Sequence, residues 1–250
     1  MTGRRATFLG VPLDLLDMRE TVEAITRHVE EGSPGVHLGV NAANLVMARD
    51  DGAYLADLRA GDVVSADGQS VVWGSRLLGL RTPERVTGID LMAALLATAR
   101  EHGWGVYLLG ARRDVVDGLA AKLAAEGTLI CGHRDGYFSD DEADAIAAEV
   151  AASGAKLLFV GTPSPGKERF LVHHARPAGV PFSIGVGGSF DVLAGELRRA
   201  PGWMQRLGLE WLYRLIQEPR RLFARYAITN TRFLWLLLRE AVRTRRLRRR

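Results

Sequence analysis

Residues 157–175 read LLFVGTPSPGKERFLVHHA, and this stretch indicates the fold class. Its apolar start, Leu157–Val160, predicts a short buried strand. Gly161–Gly166 contains two prolines and two glycines, which is typical of a loop. Lys167–Ala175 then predicts a helix. A strand followed by a short loop and a helix is the repeating unit of an α/β protein with a parallel sheet.

The same alternation extends in both directions along the chain. Further strands are predicted at Val36–Val40, Asp62–Ser65, Val106–Leu109, Thr128–Cys131 and Phe182–Val186. Further helices are predicted at Leu15–Glu30, Ala42–Arg59, Gly68–Leu78, Ile89–Glu101, Asp114–Glu126 and Asp140–Ala152. We expect Asp114 and Asp140 to cap their helices. The sequence therefore predicts an α/β domain whose sheet is largely parallel.

The composition excludes several classes of protein. The chain has 250 residues, of which 47% are hydrophobic and 25% charged, as in globular proteins rather than disordered or fibrous ones. A single cysteine, Cys131, excludes a disulfide framework and fits a reducing compartment. Asp14 and Asp17 interrupt the apolar residues near the start, which is unlike a secretory signal. The apolar run Phe233–Leu238 is far shorter than the ~18 residues of a membrane span, so we expect no integral membrane protein.

Charge is distributed unevenly along the chain. Residues 198–250 contain 15 arginines and three acidic residues, whereas residues 1–197 carry a net charge of −8. An acidic body with a cationic tail indicates an anionic partner for the tail, either a membrane surface, a nucleic acid or a phosphorylated ligand. We therefore divide the chain into an α/β domain, residues 1–196, and a basic helical appendage, residues 197–250.

The appendage combines arginines with tryptophans. Three arginines are spaced i, i+7 and i+11, which places them on one side of an unbroken helix: Arg214, Arg221 and Arg225. Pro219 could instead start a second helix and alter that alignment. Three tryptophans among apolar residues favour an interfacial helix on anionic lipid: Trp203, Trp211 and Trp235. The alternatives are an oligomer contact, a helix packed on the body, or nucleic-acid binding, which the acidic body disfavours.

Ligands of open α/β sheets bind beyond the carboxyl ends of the strands. The segments predicted at that edge are Asn41, Ala66–Gly68, Gly110–Ala111, Asp135–Tyr137, Gly161–Gly166 and Gly187–Asp191. Glycines in several of them let backbone N–H groups approach a phosphate, so a phosphorylated small molecule is expected. Gly185–Gly188 does not fit the dinucleotide fingerprint, and a tight turn with close packing remains an alternative for it.

Asp67 is the clearest candidate for chemistry. It follows a predicted strand and precedes a glycine and a helix, so it could be a general base that accepts a proton from a sugar hydroxyl. The alternative is that it only caps the following helix. The six histidines show no metal-ligand spacing, so we expect no metal.

Several runs together resemble the WecG/TagA/CpsF glycosyltransferases, from about Asn41 to Tyr226. They are ADGQSVVW (66–73), RVTGIDLM (85–92), DGYF (135–138), LLFVGTPSPGKE (157–168) and GVGGSFDVLAGELRRAPGWMQRLGLEWLYRLIQEPRRLFARY (185–226). The resemblance implies an α/β/α sandwich with a mainly parallel, Rossmann-like sheet and a C-terminal helical appendage that helps to close the site.

The resemblance also implies a reaction. A sugar, typically N-acetylmannosamine, passes with inversion from a UDP-sugar to a polyprenyl-diphosphate-linked sugar during cell-surface polysaccharide biosynthesis. No metal or other cofactor takes part. The enzyme is implied to be cytoplasmic and peripheral on the inner face of the plasma membrane, held there by residues 198–250.

Site residues follow from the matching motifs. Asp67 corresponds to the proposed catalytic base, Asn41 to an active-site asparagine and Arg85 to an arginine that contacts the diphosphate or the acceptor. Tyr137 and Asp191 lie in motifs near the nucleotide, and the tail arginines resemble those that meet the lipid diphosphate: Arg214, Arg221 and Arg225. The carboxyl-edge rule, rather than the resemblance, adds the glycines of the loops: Gly110, Gly161, Gly187 and Gly188. Two positions depart from the family pattern, Gly39 in place of threonine and Lys167 in place of glutamine. Lys167 could stabilise the departing UDP.

Other functions stay open at this point. The departures at Gly39 and Lys167 leave a different donor or acceptor sugar as one alternative. An NAD-binding oxidoreductase and a basic-tailed nucleic-acid adaptor are the others. We expect a small-molecule enzyme without a nucleic-acid partner, and keep a homo-oligomer as an option.

Overall fold

The computed structural model describes residues 5–248, apart from the side chains of residues 221, 222, 224, 225 and 244–248. Its strands are β1 (Arg5–Phe8), β2 (Val11–Asp14), β3 (Gly35–Val40), β4 (Val63–Ala66), β5 (Val106–Gly110), β6 (Ile130–Arg134), β7 (Leu157–Gly161) and β8 (Phe182–Gly185). The last six form one sheet in the order β4-β3-β8-β7-β5-β6, and every pairing in it is parallel. The six predicted strands and the parallel sheet are thereby confirmed.

The helices follow the predicted order with local differences. They are α1 (Met18–Glu31), α2 (Ala42–Asp50), α3 (Gly52–Arg59), α4 (Gln69–Leu77), α5 (Gly88–His102), α6 (Arg113–Ala125), α7 (Ala143–Ala152), α8 (Gly166–Phe170), α9 (Ser189–Ala194), α10 (Gly202–Arg206), α11 (Glu210–Gln217) and α12 (Pro219–Arg248). A short π-helical segment, Leu171–Ala175, continues α8, and a 3-10 turn at Asp140–Glu142 precedes α7.

The local chemistry of the caps explains the differences. The predicted helix Ala42–Arg59 is two helices, because Asp51 has an extended backbone and its carboxylate accepts hydrogen bonds from the N–H groups of Ala53 and Tyr54. The cap predictions for Asp140 and Asp114 were wrong. Ser139 forms a capping box with Glu142 before α7, and Asp114 lies inside the first turn of α6.

Side chains of the sheet alternate between two hydrophobic cores. On β7, Leu158 and Val160 pack into one core, whereas Leu157 and Phe159 pack into the other. Helices α2, α3, α7 and α8 cover the first face, and α1, α5, α6 and α9 cover the second. The predicted α/β/α sandwich is confirmed.

The sequence analysis missed the N-terminal hairpin of β1 and β2. Its strands pair antiparallel, with Arg5 opposite Asp14, and they join at Leu9 and Gly10, which both have positive φ. The carboxylate of Asp14 accepts a hydrogen bond of 2.7 Å from the N–H of Val64, which fixes the hairpin beside β4. The two segments, RATF and VPLD, lack the continuous apolar run by which the buried strands were predicted.

The basic tail is helical, and α12 packs on α2 of the sandwich. Phe233 and Leu237 are buried in the first core, and Arg232 donates a hydrogen bond of 2.7 Å to Asp50. Pro219 starts α12, so the arginines of the tail belong to two helices and not to one unbroken helix. Among the helices that the structure describes, none is long and apolar enough to cross a membrane. The division at residues 196 and 197 remains a prediction.

Candidate active site

Asp67 and Asn41 lie side by side at the carboxyl edge of the sheet. The N–H of Asp67 donates to the carbonyl of Val40, the last residue of β3, at 2.9 Å. A Cβ atom placed on Gly68 would lie 3.1 Å from Cβ of Asn41, so the segments after β3 and β4 are in contact. A Cβ atom on Gly39 would lie 3.2 Å from Cβ of Asp67, so any side chain at this position would press on Asp67. The glycine therefore leaves Asp67 room that a larger residue would restrict.

The half-buried carboxylate of Asp67 does not cap the helix that follows it. Helix α4 begins after Gly68 without a side-chain cap, which excludes the capping alternative in its original form. Instead Oδ1 of Asp67 accepts a hydrogen bond of 3.1 Å from the N–H of Gly88, the first residue of α5. The positive end of that helix stabilises the ionised carboxylate. Oδ2 has no partner among the described residues and is the atom that could accept a proton.

Asn41 uses its side-chain oxygen for the fold. Oδ1 accepts hydrogen bonds from the N–H groups of Ala43 and Asn44, while Oδ1 of Asn44 accepts one from the N–H of Asn41. This capping box fixes the start of α2. The amide group of Asn41, Nδ2, has no partner within the described part of the chain, so it is the end that a ligand could reach.

The glycine loop after β8 lies next to this pair. A Cβ atom on Gly88 would be 3.3 Å from Cα of Val186, so the start of α5 contacts both Asp67 and the loop. Gly187 has φ of 53°, which favours glycine, while Gly188 precedes α9. The sheet order explains the proximity, because β8 inserts beside β3 although the two strands are far apart in sequence.

Close packing accounts for the glycines in the loops that follow β5, β6 and β7, the other half of the sheet. A Cβ atom on Gly110, whose φ is 135°, would lie 2.7 Å from the backbone of Gly161. One on Gly161 would lie 2.9 Å from the ring of Phe190, and one on Gly136 would lie 3.0 Å from Cα of Gly110. The loops after β5, β6 and β7 therefore touch one another. Close packing thus accounts for Gly110 and Gly161. Within Gly185–Gly188, Gly185 is closely packed against Lys167, whereas Gly187 has more room.

Lys167 is buried behind the loop after β8. Its side chain lies against Gly185, where a Cβ atom would be 3.0 Å from Cδ and Cε, and its Nζ would be 4.0 Å from a Cβ atom on Gly187. Nζ is also 3.3 Å from Oε1 of Glu168, so the ammonium group is paired within the fold. Burial, together with the charge of Lys167, lowers the pKa of the nearby His37 to about 3, so this histidine is neutral.

The sequence analysis missed Glu168, although it stands beside Lys167 in the same motif. Only 1% of its surface is exposed, and Oε1 accepts a hydrogen bond of 2.8 Å from the hydroxyl of Ser164. Its other oxygen, Oε2, has no hydrogen-bond partner among the residues that the structure describes. The charge of Lys167 is thus balanced by a carboxylate that the fold holds in place, which a buried ammonium requires.

Arg85 forms an ion pair with the appendage. Its Nη1 is 2.5 Å from Oε2 of Glu210, the first residue of α11. Glu210 also accepts a hydrogen bond from Arg199, which pairs with Asp90 in the first turn of α5. The sequence analysis did not single out Asp90, Arg199 or Glu210, although all three fall in the quoted motifs.

Comparison with known proteins identifies the family. Residues 6–247 match the glycosyl transferase WecG/TagA/CpsF family. The chain belongs to this family. Over 220 residues it is 34% identical to the N-acetylglucosaminyldiphosphoundecaprenol N-acetyl-beta-D-mannosaminyltransferase of Bacillus subtilis (strain 168), an alignment that covers 86% of this chain and 84% of the relative. The resemblance read from the sequence is confirmed, and the oxidoreductase alternative is excluded.

This WecG/TagA/CpsF glycosyltransferase exposes two of its remaining candidate residues, Tyr137 and Arg214, to solvent. Tyr137 is 75% exposed in the loop after β6, and Asp191 lies in the first turn of α9, where Oδ2 would be 3.8 Å from a Cβ atom on Gly188. Arg214 is exposed on α11. The side chains of Arg221 and Arg225 lie outside the described residues. The roles of these five residues remain predictions.

Proposed function

We propose that this glycosyltransferase moves N-acetylmannosamine from UDP-N-acetylmannosamine to an N-acetylglucosamine that is linked to a polyprenyl diphosphate, with inversion at the anomeric carbon. The name of the B. subtilis relative supports the acceptor and the β-linked product. The observation that carries the chemistry is the position of Asp67. Its carboxylate is held by the N-terminus of α5 at the edge where Asn41 and the loop after β8 meet.

In the proposed reaction Asp67 acts as the general base. Its Oδ2 accepts the proton of the acceptor hydroxyl while the hydroxyl oxygen forms a bond to the anomeric carbon of the donor. The bond between that carbon and the diphosphate oxygen breaks, and UDP leaves with the electron pair. Attack on the face opposite the leaving group turns an α-linked donor into a β-linked product.

Negative charge develops on the departing diphosphate and needs fixed positive groups. Lys167 behind Gly187, the N–H group of Gly188 and the guanidinium of Arg85 are the candidates. The N–H of Gly187 is not among them, since it already donates to the carbonyl of Val160. Because these groups are already oriented by the fold, they stabilise the leaving group without reorganisation. We propose that they serve in place of a metal ion. Among the described residues there is no group of three or more metal-ligating side chains.

The direct test is transfer by the full-length protein to a short-chain polyprenyl-diphosphate N-acetylglucosamine. We expect UDP release with UDP-N-acetylmannosamine, a β-linked disaccharide by NMR, and rates that are unchanged in EDTA. A panel of other UDP-sugars tests the second candidate, a different donor, which Gly39 and Lys167 suggest. An α-linked product, or no transfer from any UDP-sugar, would contradict the proposal.

We also propose that the appendage holds the enzyme on the cytoplasmic face of the plasma membrane. Helix α12 has two apolar sides. Phe233 and Leu237 pack on the body, while another set of apolar residues is exposed to solvent: Ile228, Leu234, Trp235, Leu238 and Val242. Arg239 lies 5.4 Å from the ring centre of Trp235. Aromatic and aliphatic side chains flanked by arginines suit an anionic lipid surface.

Sedimentation with vesicles tests this proposal. The full-length protein should bind vesicles that contain anionic phospholipid more strongly than neutral ones, and salt should weaken binding. The double variant Trp235→Ser and Leu238→Ser should bind less, since it removes exposed apolar surface without touching the packed side. Equal recovery of the two proteins, or equal binding to neutral vesicles, would refute the proposal.

A further inference from the structure

The first turn of α5 joins the candidate base to the appendage. On one side, the N–H of Gly88 donates to Asp67. On the other side, Asp90 accepts two hydrogen bonds from Arg199, of 2.6 and 2.7 Å, from the two terminal nitrogens of the guanidinium. The hydroxyl of Thr87 caps the same turn and donates to Asp90 at 2.6 Å. The carboxylate of Asp90 is therefore held from both directions.

The contacts of Arg199 continue into α11 and return to Arg85. Nε of Arg199 donates to Oε1 of Glu210 at 3.1 Å, and Oε2 of Glu210 lies 2.5 Å from Nη1 of Arg85. Four charges thus alternate in sign along one chain of contacts, which we name the charge chain: Asp90, Arg199, Glu210 and Arg85. Arg199 keeps the pKa of Asp90 below its usual range although burial opposes this, and the pKa of Arg199 is raised by Asp90.

The charge chain is shielded where it meets Arg85. The side chains of Arg85 and Glu210 are 14% and 15% exposed, so water and salt screen this pair less than a surface pair. Arg85 uses one nitrogen for Glu210, and its other N–H groups have no partner among the described residues. A guanidinium carries five N–H donors, so Arg85 can keep Glu210 and still donate to a phosphate.

We propose that Arg199 and Glu210 are positioning residues, which orient the guanidinium of Arg85 and hold α11 against the turn of α5 that supports Asp67. The inference rests on the proposed function, in which Arg85 meets the diphosphate. Glu210 fixes one nitrogen of Arg85, and Arg199 in turn fixes Glu210 from the rigid N-terminus of α5. Catalysis then depends on a contact between the appendage and the sandwich, although neither Arg199 nor Glu210 touches the substrate.

The key variant is Arg199→Met, which keeps an unbranched apolar side chain and removes the guanidinium with its hydrogen bonds. A misplacement of a catalytic group by about one ångström can lower the rate by ~10²-fold. We therefore expect kcat to fall by roughly 10- to 100-fold, with a smaller change in KM. Arg232→Met is the matched control, because Arg232 also joins the appendage to the body through an ion pair, with Asp50 at the opposite end of α2 from Asn41. We expect it to keep the wild-type kcat.

Two further comparisons separate positioning from general stabilisation. Arg199→Lys should recover part of the lost kcat, since an ammonium can still pair with Asp90. In an Arg85→Met background, Arg199→Met should cause little further loss, because its effect passes through Arg85. Wild-type kcat in Arg199→Met, an equal loss in Arg232→Met, or an undiminished effect without Arg85 would each overturn the proposal.

Hydrogen exchange gives a readout that does not require sugar transfer. Arg199→Met and Glu210→Gln should both speed exchange at the amides of α11, residues 210–217, whereas Arg232→Met should not. Unchanged exchange in the first two variants would show that the charge chain does not hold α11. If the wild type transfers no sugar but exchange responds as expected, the proposed function fails while the docking of α11 through the charge chain stands.

Discussion

Replacing Asp67 by asparagine separates its proposed chemistry from its part in the fold. Asparagine has nearly the same volume and keeps an oxygen that can accept the hydrogen bond from Gly88, which is 3.1 Å long in the wild type. It replaces Oδ2, which has no partner in the described part of the chain, by an amide group that cannot accept the proton of the acceptor hydroxyl. Only the proton transfer and the negative charge near α5 are lost.

The two effects differ in size. Loss of a general base lowers turnover by about 10²- to 10⁴-fold, which corresponds to roughly 3 to 5 kcal/mol of activation free energy. Loss of the charge at the N-terminus of α5 lowers the free energy of unfolding by only about 0.3–1 kcal/mol. Asp67→Ala also removes the hydrogen bond from Gly88. We therefore expect the free energy of unfolding of this variant to be about 0.5–2 kcal/mol lower than that of the wild type.

Initial rates of UDP release at saturating donor and acceptor, together with urea unfolding, measure the two effects. Asp51→Asn is the matched control, since Asp51 caps α3 with its carboxylate and is not part of the candidate site. It should leave turnover unchanged. Wild-type turnover in Asp67→Asn would refute the role as base. A loss of several kcal/mol in the free energy of unfolding would show instead that the carboxylate is mainly structural.

Three further predictions concern stability, each measured by urea unfolding. Leu237→Ala should lower the free energy of unfolding by about 2–4 kcal/mol, because Leu237 is 5% exposed and packs in the core. Leu238→Ala, at a position that is 64% exposed, should lower it by less than about 0.5 kcal/mol. Equal losses would show that α12 does not pack as described. Gly110→Ala should destabilise the fold by about 1–3 kcal/mol or more, since its Cβ would lie 2.7 Å from backbone atoms. Gly118→Ala, in a helix where a Cβ atom has open space, should stabilise the fold by about 0.5–1 kcal/mol. The opposite order would contradict the close packing of the loops. The folded state keeps His37 neutral, with a pKa of about 3 against 6.5 when unfolded, so below pH 6.5 the unfolded chain binds the additional proton. The free energy of unfolding should therefore fall by about 1 kcal/mol from pH 6 to pH 5, and His37→Gln should remove that part of the slope; an unchanged slope would contradict a neutral buried histidine.

Local patterns were enough to predict most of the sandwich. Each strand of the parallel sheet, such as Leu157–Gly161, is a short apolar run between loop residues, and this pattern depends only on neighbouring positions. The exceptions were the hairpin at Arg5–Asp14, whose strands contain charged residues and a proline and lack such an apolar run, and the caps at Ser139 and Asp51, which depend on backbone angles.

The family motifs and the carboxyl-edge rule also indicated Asp67, Asn41 and Lys167 from the sequence alone. Both use only the identity of a residue and its position relative to neighbouring residues and predicted strands. The partners of these residues required the tertiary structure. The hydrogen bond from Gly88 to Asp67, the position of Lys167 behind Gly187, and the path from Asp90 to Arg85 all join segments that the chain order separates. A sequence shows which side chains could carry charge or accept a proton. Which charges meet depends on the order of the strands and on where α10 and α11 pack, since both bring together residues more than a hundred positions apart.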